Sequence, residues 1–313
     1  MGHHLDQSIT VEITNLLCKT LLSSEIQDIM YSSLEANSKA GEPYRWAHLT
    51  LLNCECINGV PEVSLPGAIA MELAALAADI FDDIQDQDND DQPWRKIPTA
   101  NALNLAICLS MLSSEAVEQI QDGRIYREVN QTLNKMWIRA SDGQFQEALF
   151  DTREKVSLDD YFDLVKRKSG SLTASACKIG AILGGASEDI VLQSEQFGLN
   201  LGIMSQLWND LNDFLNFEKK RDFVNNRKTL PFVYLLNTLE GKKADEFRDL
   251  TRLQRLGKQE QDYLKQLAID EGVVHYCRVM YELFRRKSLE MVQRLPVLEN
   301  RKEKMIKLVE ENV

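Results

Sequence analysis

Two acidic clusters, each closing an apolar stretch with helical spacing, constrain this chain more than any other feature. The first reads Phe81-Asp82-Asp83-Ile84-Gln85-Asp86-Gln87-Asp88, the second Gln206-Leu207-Trp208-Asn209-Asp210-Leu211-Asn212-Asp213-Phe214. Residues three and four apart share a helix face, so Asp79, Asp82, Asp83 and Asp86 gather on one side of the first segment. Asn209, Asp210 and Asp213 do the same on the second. Carboxylates within one turn repel each other by roughly 0.2–0.5 kcal/mol per pair, so helices that concentrate them call for a cation. Magnesium suits such faces: it takes few protein carboxylates, keeps several waters and binds phosphate oxygens at its remaining positions. Two Asp-rich helices therefore point to a diphosphate held through magnesium.

The remaining sequence supplies helices and no convincing strand. Apolar residues recur with a period near 3.6 through 8–36, 45–57, 67–86, 99–121, 124–140, 143–150, 158–183, 188–218, 229–240, 243–255, 259–270 and 272–293. Gly, Pro and polar clusters break the pattern at 59–67, 89–98, 184–185 and 222–228. The expected fold class is all-α. A chain of 313 residues, 44% hydrophobic, can bury a sizeable core, and it is read as a single domain over 1–313. Small residues at 68–78 and 171–185 suit close helix packing or the lining of an apolar pocket.

A net charge of −12 argues against nucleic acid or an anionic membrane as partner. Cys18, Cys54, Cys56, Cys108, Cys177 and Cys277 mostly lie in apolar helical stretches without zinc-type pairing, which reads as buried free thiols in a reducing cytoplasm. No stretch approaches the ~20 apolar residues of a membrane span, and Met1-Gly2-His3-His4 opens neither a basic nor an apolar leader. The expectation is a cytoplasmic protein without stable membrane insertion.

These residues resemble the trans-type isoprenyl diphosphate synthases, an all-α family whose isoprenoid synthase-type helical bundle surrounds a central cavity. Asp82, Asp83 and Asp86 match its DDxxD motif, and Asn209-Asp210-x-x-Asp213 is similar to its second motif. Arg95-x-x-Pro98-Thr99, Lys168-Ser169, Gln206 and Arg227-Lys228-Thr229-Leu230-Pro231 follow in the family's order, so the resemblance spans about 40–235. It implies that Asp82, Asp83, Asp86, Asn209, Asp210 and Asp213 hold magnesium. It implies too that Arg95, Lys168, Lys219, Lys220, Arg227 and Lys228 neutralise the diphosphate. Metal and fixed cations improve the leaving group, so ionisation gives an allylic cation and catalysis is mainly electrostatic. Ser169 and Gln206 would face that cation with oxygen dipoles. Ala77 and Ala78, just before the first motif, would leave room for the prenyl tail. A homodimer is expected on the resemblance alone.

The other half of the site departs from the family. Chain-elongating members bind a second diphosphate through a Gly-Gly-Lys-Arg-x-Arg-Pro segment, where this chain has Ala40-Gly41-Glu42-Pro43-Tyr44-Arg45-Trp46. On this acceptor side Arg45 agrees, while Glu42 reverses a charge beside a polyanion. A His or Gln of the family falls at Ala75. The pattern is similar to the ComQ-type isoprenyl transferases of bacterial quorum sensing, which attach a geranyl or farnesyl group to a tryptophan of the ComX pheromone precursor. The shared features are the DDIQDQD run, Asn209, and Lys219-Lys220-Arg221-Asp222 ahead of Arg227. The resemblance implies geranyl or farnesyl diphosphate and a peptide pheromone precursor as substrates. An indole C3 is electron-rich enough to attack an allylic cation directly, whereas a thiol acceptor would want a metal-bound thiolate.

Three other readings stay open. A divergent chain-elongating synthase would use Arg45, Arg95 and unassigned lysines for isopentenyl diphosphate. A terpene cyclase would want Ser or Thr at 213 and Glu at 217, where this chain has Asp213 and Phe217. A non-catalytic binding or regulatory subunit would keep the fold without turnover.

Overall fold

The computed structural model describes residues 2–20, 22–37, 43–58, 60–153, 155–216, 227–253 and 256–311. Among them are fourteen α-helices and no strand, as the periodicity predicts. In chain order these are α1 (Gly2–Lys19), α2 (Ser24–Asn37), α3 (Arg45–Asn58), α4 (Leu65–Asp86), α5 (Thr99–Val117), α6 (Gly123–Asp151) and α7 (Leu158–Arg167). They continue with α8 (Ser169–Leu183), α9 (Glu188–Leu215), α10 (Leu230–Thr238), α11 (Gly241–Thr251), α12 (Lys258–Asp270), α13 (Val273–Arg294) and α14 (Glu299–Glu311). Contacts divide the chain into two compact units. The first comprises Met1–Trp137, Leu172–Gly198 and Leu295–Met305, the second Ile138–Ser171, Leu199–Arg294 and Ile306–Val313.

In the first unit α4 is the central element. Pro66 sits in its first turn, where a missing N–H does no harm. Every residue from Gly67 to Ala77 is buried. The run is rich in alanine, which permits α3 and α5 to pack closely on it. One ionisable side chain interrupts this buried run. Glu72 Oε2 accepts from the backbone N–H groups of Trp46 and Ala47 at 2.9 and 3.0 Å, closing the first turn of α3. Burial pushes the Glu72 carboxyl up to about 7.

The second unit has its own core. Tyr161, Leu164 and Val165 of α7 pack with Ile203, Leu207 and Leu211 of α9 and with the apolar faces of α10 to α13. Phe232 and Phe247 meet edge to face at 5.3 Å, and Tyr234 stacks on Tyr276 at 4.5 Å. A capping box at Ser157 and Asp160 starts α7.

Several boundaries differ from the periodicity. The stretch 8–36 forms two helices, because Ser23 takes an N-cap position and its carbonyl accepts the first bond of α2, from Gln27 N. The segments 124–140 and 143–150 form one helix, α6. Gly143, inside that helix, lets α6 meet the backbone of Lys168, where an added Cβ would lie 2.7 Å from the Lys168 nitrogen. The stretch 158–183 is interrupted at Lys168, whose ψ of −90° ends α7 before Ser169 opens α8. α5 stops at Val117, and α14 is an addition. The expectation that no stretch is apolar enough for a membrane span is corrected. Two helical segments, Pro61–Asp86 and Thr99–Val117, are long and apolar enough, at mean hydropathy 1.5 and 1.3, although 72% of the first window is buried within the protein. Of the cysteines, Cys54, Cys56, Cys177 and Cys277 are buried free thiols, Cys108 is half-buried and Cys18 is exposed.

Candidate active site

The first acidic motif ends α4, and its neighbours Asp82 and Asp83 point apart because successive residues are about 100° apart around a helix. Asp82 and Asp86, one turn from each other, are half-buried, and a carboxylate oxygen of one lies within 4.8 Å of one of the other. Asp83 is turned inward and is 5% exposed. Its two oxygens accept from Asn89 Nδ2 at 2.7 Å and from the Trp94 indole Nε1 at 2.8 Å. Gln87 and Asn89 take left-handed backbone angles, φ 55° and 51°, so the chain doubles back beneath the helix end. Burial raises the Asp83 carboxyl to about 6, against the pull of those two donors. Asp83, grouped by its motif with the metal ligands, is thus placed as the anchor of the loop that follows them.

That loop carries Arg95. Its guanidinium pairs with Asp90 at 3.1 Å, while Arg95 Nε and Asp88 Oδ1 are buried with no hydrogen-bond partner among the described residues. Ala77 is fully buried in α4 and Ala78 half-buried. On the acceptor side Arg45 is exposed at the start of α3; Glu42 lies outside the described residues, as do Lys219 and Lys220.

The second unit assembles the other motif around Asp210, which is 3% exposed. Asp210 Oδ2 accepts from the Tyr161 hydroxyl and from the Leu230 backbone N–H, both at 2.7 Å, and Oδ1 accepts from Gln206 Nε2 at 2.7 Å. Gln206 Oε1 in turn accepts from Ser169 Oγ at 2.6 Å. Ser169, Gln206 and Asp210 therefore form one chain of hydrogen bonds across α8 and α9, and Asp210 also closes the N-terminus of α10. Burial, and then the Asp210 charge, hold the Tyr161 phenol well above its ordinary value. A carboxylate offers about four acceptor sites, so Asp210 keeps little capacity beyond these three bonds. Asn209 is exposed and Asp213 half-buried.

The basic residues meet acids that sequence reasoning did not single out. Lys168 Nζ donates to Glu147 at 2.6 Å, and Arg227 Nη1 donates to Asp151 at 2.7 Å. Glu147 and Asp151 stand one turn apart on α6, a spacing that would have revealed them. Burial raises Asp151 to about 6, opposed by Arg227, and its Oδ1 is buried with no hydrogen-bond partner among the described residues. Lys228 lies over the Phe232 ring at 4.6 Å, and burial lowers the pKa of its ammonium. Arg227 and Lys168 are thereby fixed by ion pairs in partly buried surroundings, where charge interactions are screened less than at the surface.

A hard divalent cation fits Asp82 and Asp86. Both offer carboxylate oxygens and neither is buried away, and oxygen-only donors at this separation suit magnesium better than a softer metal.

The polyprenyl synthetase family model matches residues 27–292. Tryptophan prenyltransferase ComQ of Bacillus subtilis (strain 168) is 23% identical over 292 residues, covering 91% of this chain and 92% of that protein. Geranylfarnesyl diphosphate synthase of Aeropyrum pernix is 27% identical over 295 residues, covering 87% and 89%. The crystal structure of geranylgeranyl pyrophosphate synthetase from Pyrococcus horikoshii Ot3 superposes with a TM-score of 0.85 at 21% identity, over 99% of this chain and 96% of that one. At that identity it shows the fold, the all-α fold of the isoprenyl diphosphate synthases. Matched over most of its length, the chain belongs to the polyprenyl synthetase family and, with it, to the prenyltransferases.

Proposed function

We propose that this chain transfers a geranyl or farnesyl group from its allylic diphosphate to a tryptophan of a peptide pheromone precursor, with the whole chain, 1–313, acting as one isoprenoid synthase-like domain. The observation that carries this reading is the acceptor segment. Gly41-Glu42-Pro43-Tyr44-Arg45 keeps Arg45 but has lost the other cations that would hold a second diphosphate, while the allylic residues are kept. Similarity to tryptophan prenyltransferase ComQ along nearly the whole chain supports it.

In this reading Asp82 and Asp86 hold magnesium, with Asp213 and Asn209 as further donors. When bound, the metal neutralises the leaving diphosphate. Lys168, Arg227, Lys228 and Arg95 add fixed positive charge, with Lys219 and Lys220 proposed on the sequence alone. The allylic C–O bond breaks with its electron pair leaving on the diphosphate, the indole C3 supplies the pair for the new C–C bond, and the resulting indoleninium loses its N1 proton to solvent. Ser169 and Gln206, fixed through Asp210, present oxygen dipoles to the cation without reorganising, which is where electrostatic catalysis gains most. Ala77 and Ala78 keep room for the tail. We place the reaction in the cytoplasm. We also infer a homodimer, because Leu103, Ile107 and Met111 form an exposed apolar stripe at helical spacing on α5; sedimentation would read it.

Chain elongation is the second reading, favoured by the similarity to geranylfarnesyl diphosphate synthase. A competition decides between them. The protein with magnesium and geranyl or farnesyl diphosphate is offered isopentenyl diphosphate in one reaction and a tryptophan-containing precursor peptide in another, and products are weighed by mass spectrometry. One prenyl mass on the peptide, with no longer diphosphate, is the expected result; an elongated diphosphate and an unmodified peptide overturn it.

A further inference from the structure

The residues that displace the second diphosphate do more than remove charge. Pro43 and Tyr44 line a cavity of about 170 Å3, walled also by Thr10 of α1 and by Tyr31, Leu34 and Glu35 of α2. Pockets that take whole small molecules start at about 300 Å3, so this one is sized for a single side chain.

Its wall is held from two sides. Tyr44 adopts φ 61°, an unusual backbone for a bulky residue and a kind of strain that persists only where the surroundings enforce it. Its hydroxyl meets Thr10 Oγ1 at 2.8 Å, tying the segment to α1. Two residues on, the Trp46 and Ala47 N–H groups are pinned by the buried Glu72 carboxylate. A cavity whose wall is fixed before binding does not lose the entropy of ordering it. Tyrosine rings and Pro43 offer flat apolar surface, and Glu35 adds an acceptor and a negative charge.

We propose that this cavity is a docking subsite for one aromatic side chain of the acceptor peptide. The proposal rests on the peptide-transfer reading and names what the altered segment does for it. Aromatic side chains fit because they bury large area with few torsions to freeze. The net charge of −12 favours a peptide that is not itself acidic.

The test uses the full chain and an array of synthetic decapeptides, the central position run through all twenty residues between randomised flanks. The wild-type protein should prefer Trp, then Tyr and Phe, at the centre. Thr10→Phe, which fills the cavity from an exposed position, should lower binding of the Trp set about tenfold and erase the preference, while magnesium-dependent hydrolysis of geranyl diphosphate without peptide stays unchanged. Absence of an aromatic preference, or a preference that survives Thr10→Phe, overturns the subsite. The two readings fail separately. Aromatic docking without any prenyl transfer leaves the subsite and sinks the transfer reaction. Transfer with an unchanged peptide KM in Thr10→Phe does the reverse.

Discussion

In the first unit the buried member of the acidic motif, Asp83, is bonded to residues six and eleven positions along the chain; in the second, Asp210 is bonded to residues twenty and forty-nine positions away. Asp83 shapes the loop that carries Arg95. Asp210 joins α7, α9 and α10 and fixes the α8 serine through Gln206. The same motif letter therefore does local work in one unit and tertiary work in the other. Helix phase decides which aspartate of each cluster turns inward, and the inward one accepts hydrogen bonds from its own unit. More exposed are Asp82 and Asp86 in the first unit and Asn209 and Asp213 in the second.

The largest effect is expected from Asp82→Asn. If the outward pair holds the metal, transfer falls by roughly three orders of magnitude, corresponding to several kcal/mol of lost charge stabilisation. The unfolding midpoint stays in place, read by steady-state kinetics beside urea denaturation. Asp210→Ala should break the contrast the other way. It leaves the Tyr161 hydroxyl and the Leu230 N–H without their acceptor, at about 1–3 kcal/mol for each buried group, so urea stability drops measurably together with activity. Equal stability losses for Asp82→Asn and Asp210→Ala would erase the division into outward ligands and inward anchors.

Glu72 sharpens the comparison, since it is the first unit's counterpart to Asp210 at a helix N-terminus. Burial holds its carboxyl up at about 7 in the folded protein, against 4.5 for an ordinary glutamate. Between those values the folded state holds a proton that the unfolded chain has released. Its contribution to stability is present below about pH 4.5 and is lost as pH rises through 7, by roughly 3 kcal/mol. Denaturation across that range should show this decline, and Glu72→Gln should flatten it. The smallest effect is expected from Tyr161→Phe, about 1.5–3 kcal/mol for one hydrogen bond to a charged group, with Asp210 still held by two donors.

Much of this was legible in the sequence. The apolar run before Asp82 predicts α4 because every side of that helix is buried, and the spacing of Asp82 and Asp86 predicts a shared face. Periodicity was blind to helix ends that keep the apolar rhythm, as at Ser23 and Lys168. It also leaves a gap at 141–142 inside α6, where Ser141 and Asp142 carry no apolar signal. The inward turn of Asp83 and Asp210 was hidden for another reason. Their partners Trp94, Tyr161 and Leu230 carry no motif of their own, and only three-dimensional packing assigns them.

Gly143 has a consequence for how such a chain can change. The residue with no side chain sets how near α6 runs to Lys168, and Glu147, one turn further on, sets which acid that lysine meets. Charge placement is thereby tied to helix spacing, and a methyl group at 143, pressing on the Lys168 backbone, would shift a cation without replacing any charged side chain. A saturation library at this position should return glycine alone among active variants, whatever acceptor the enzyme serves.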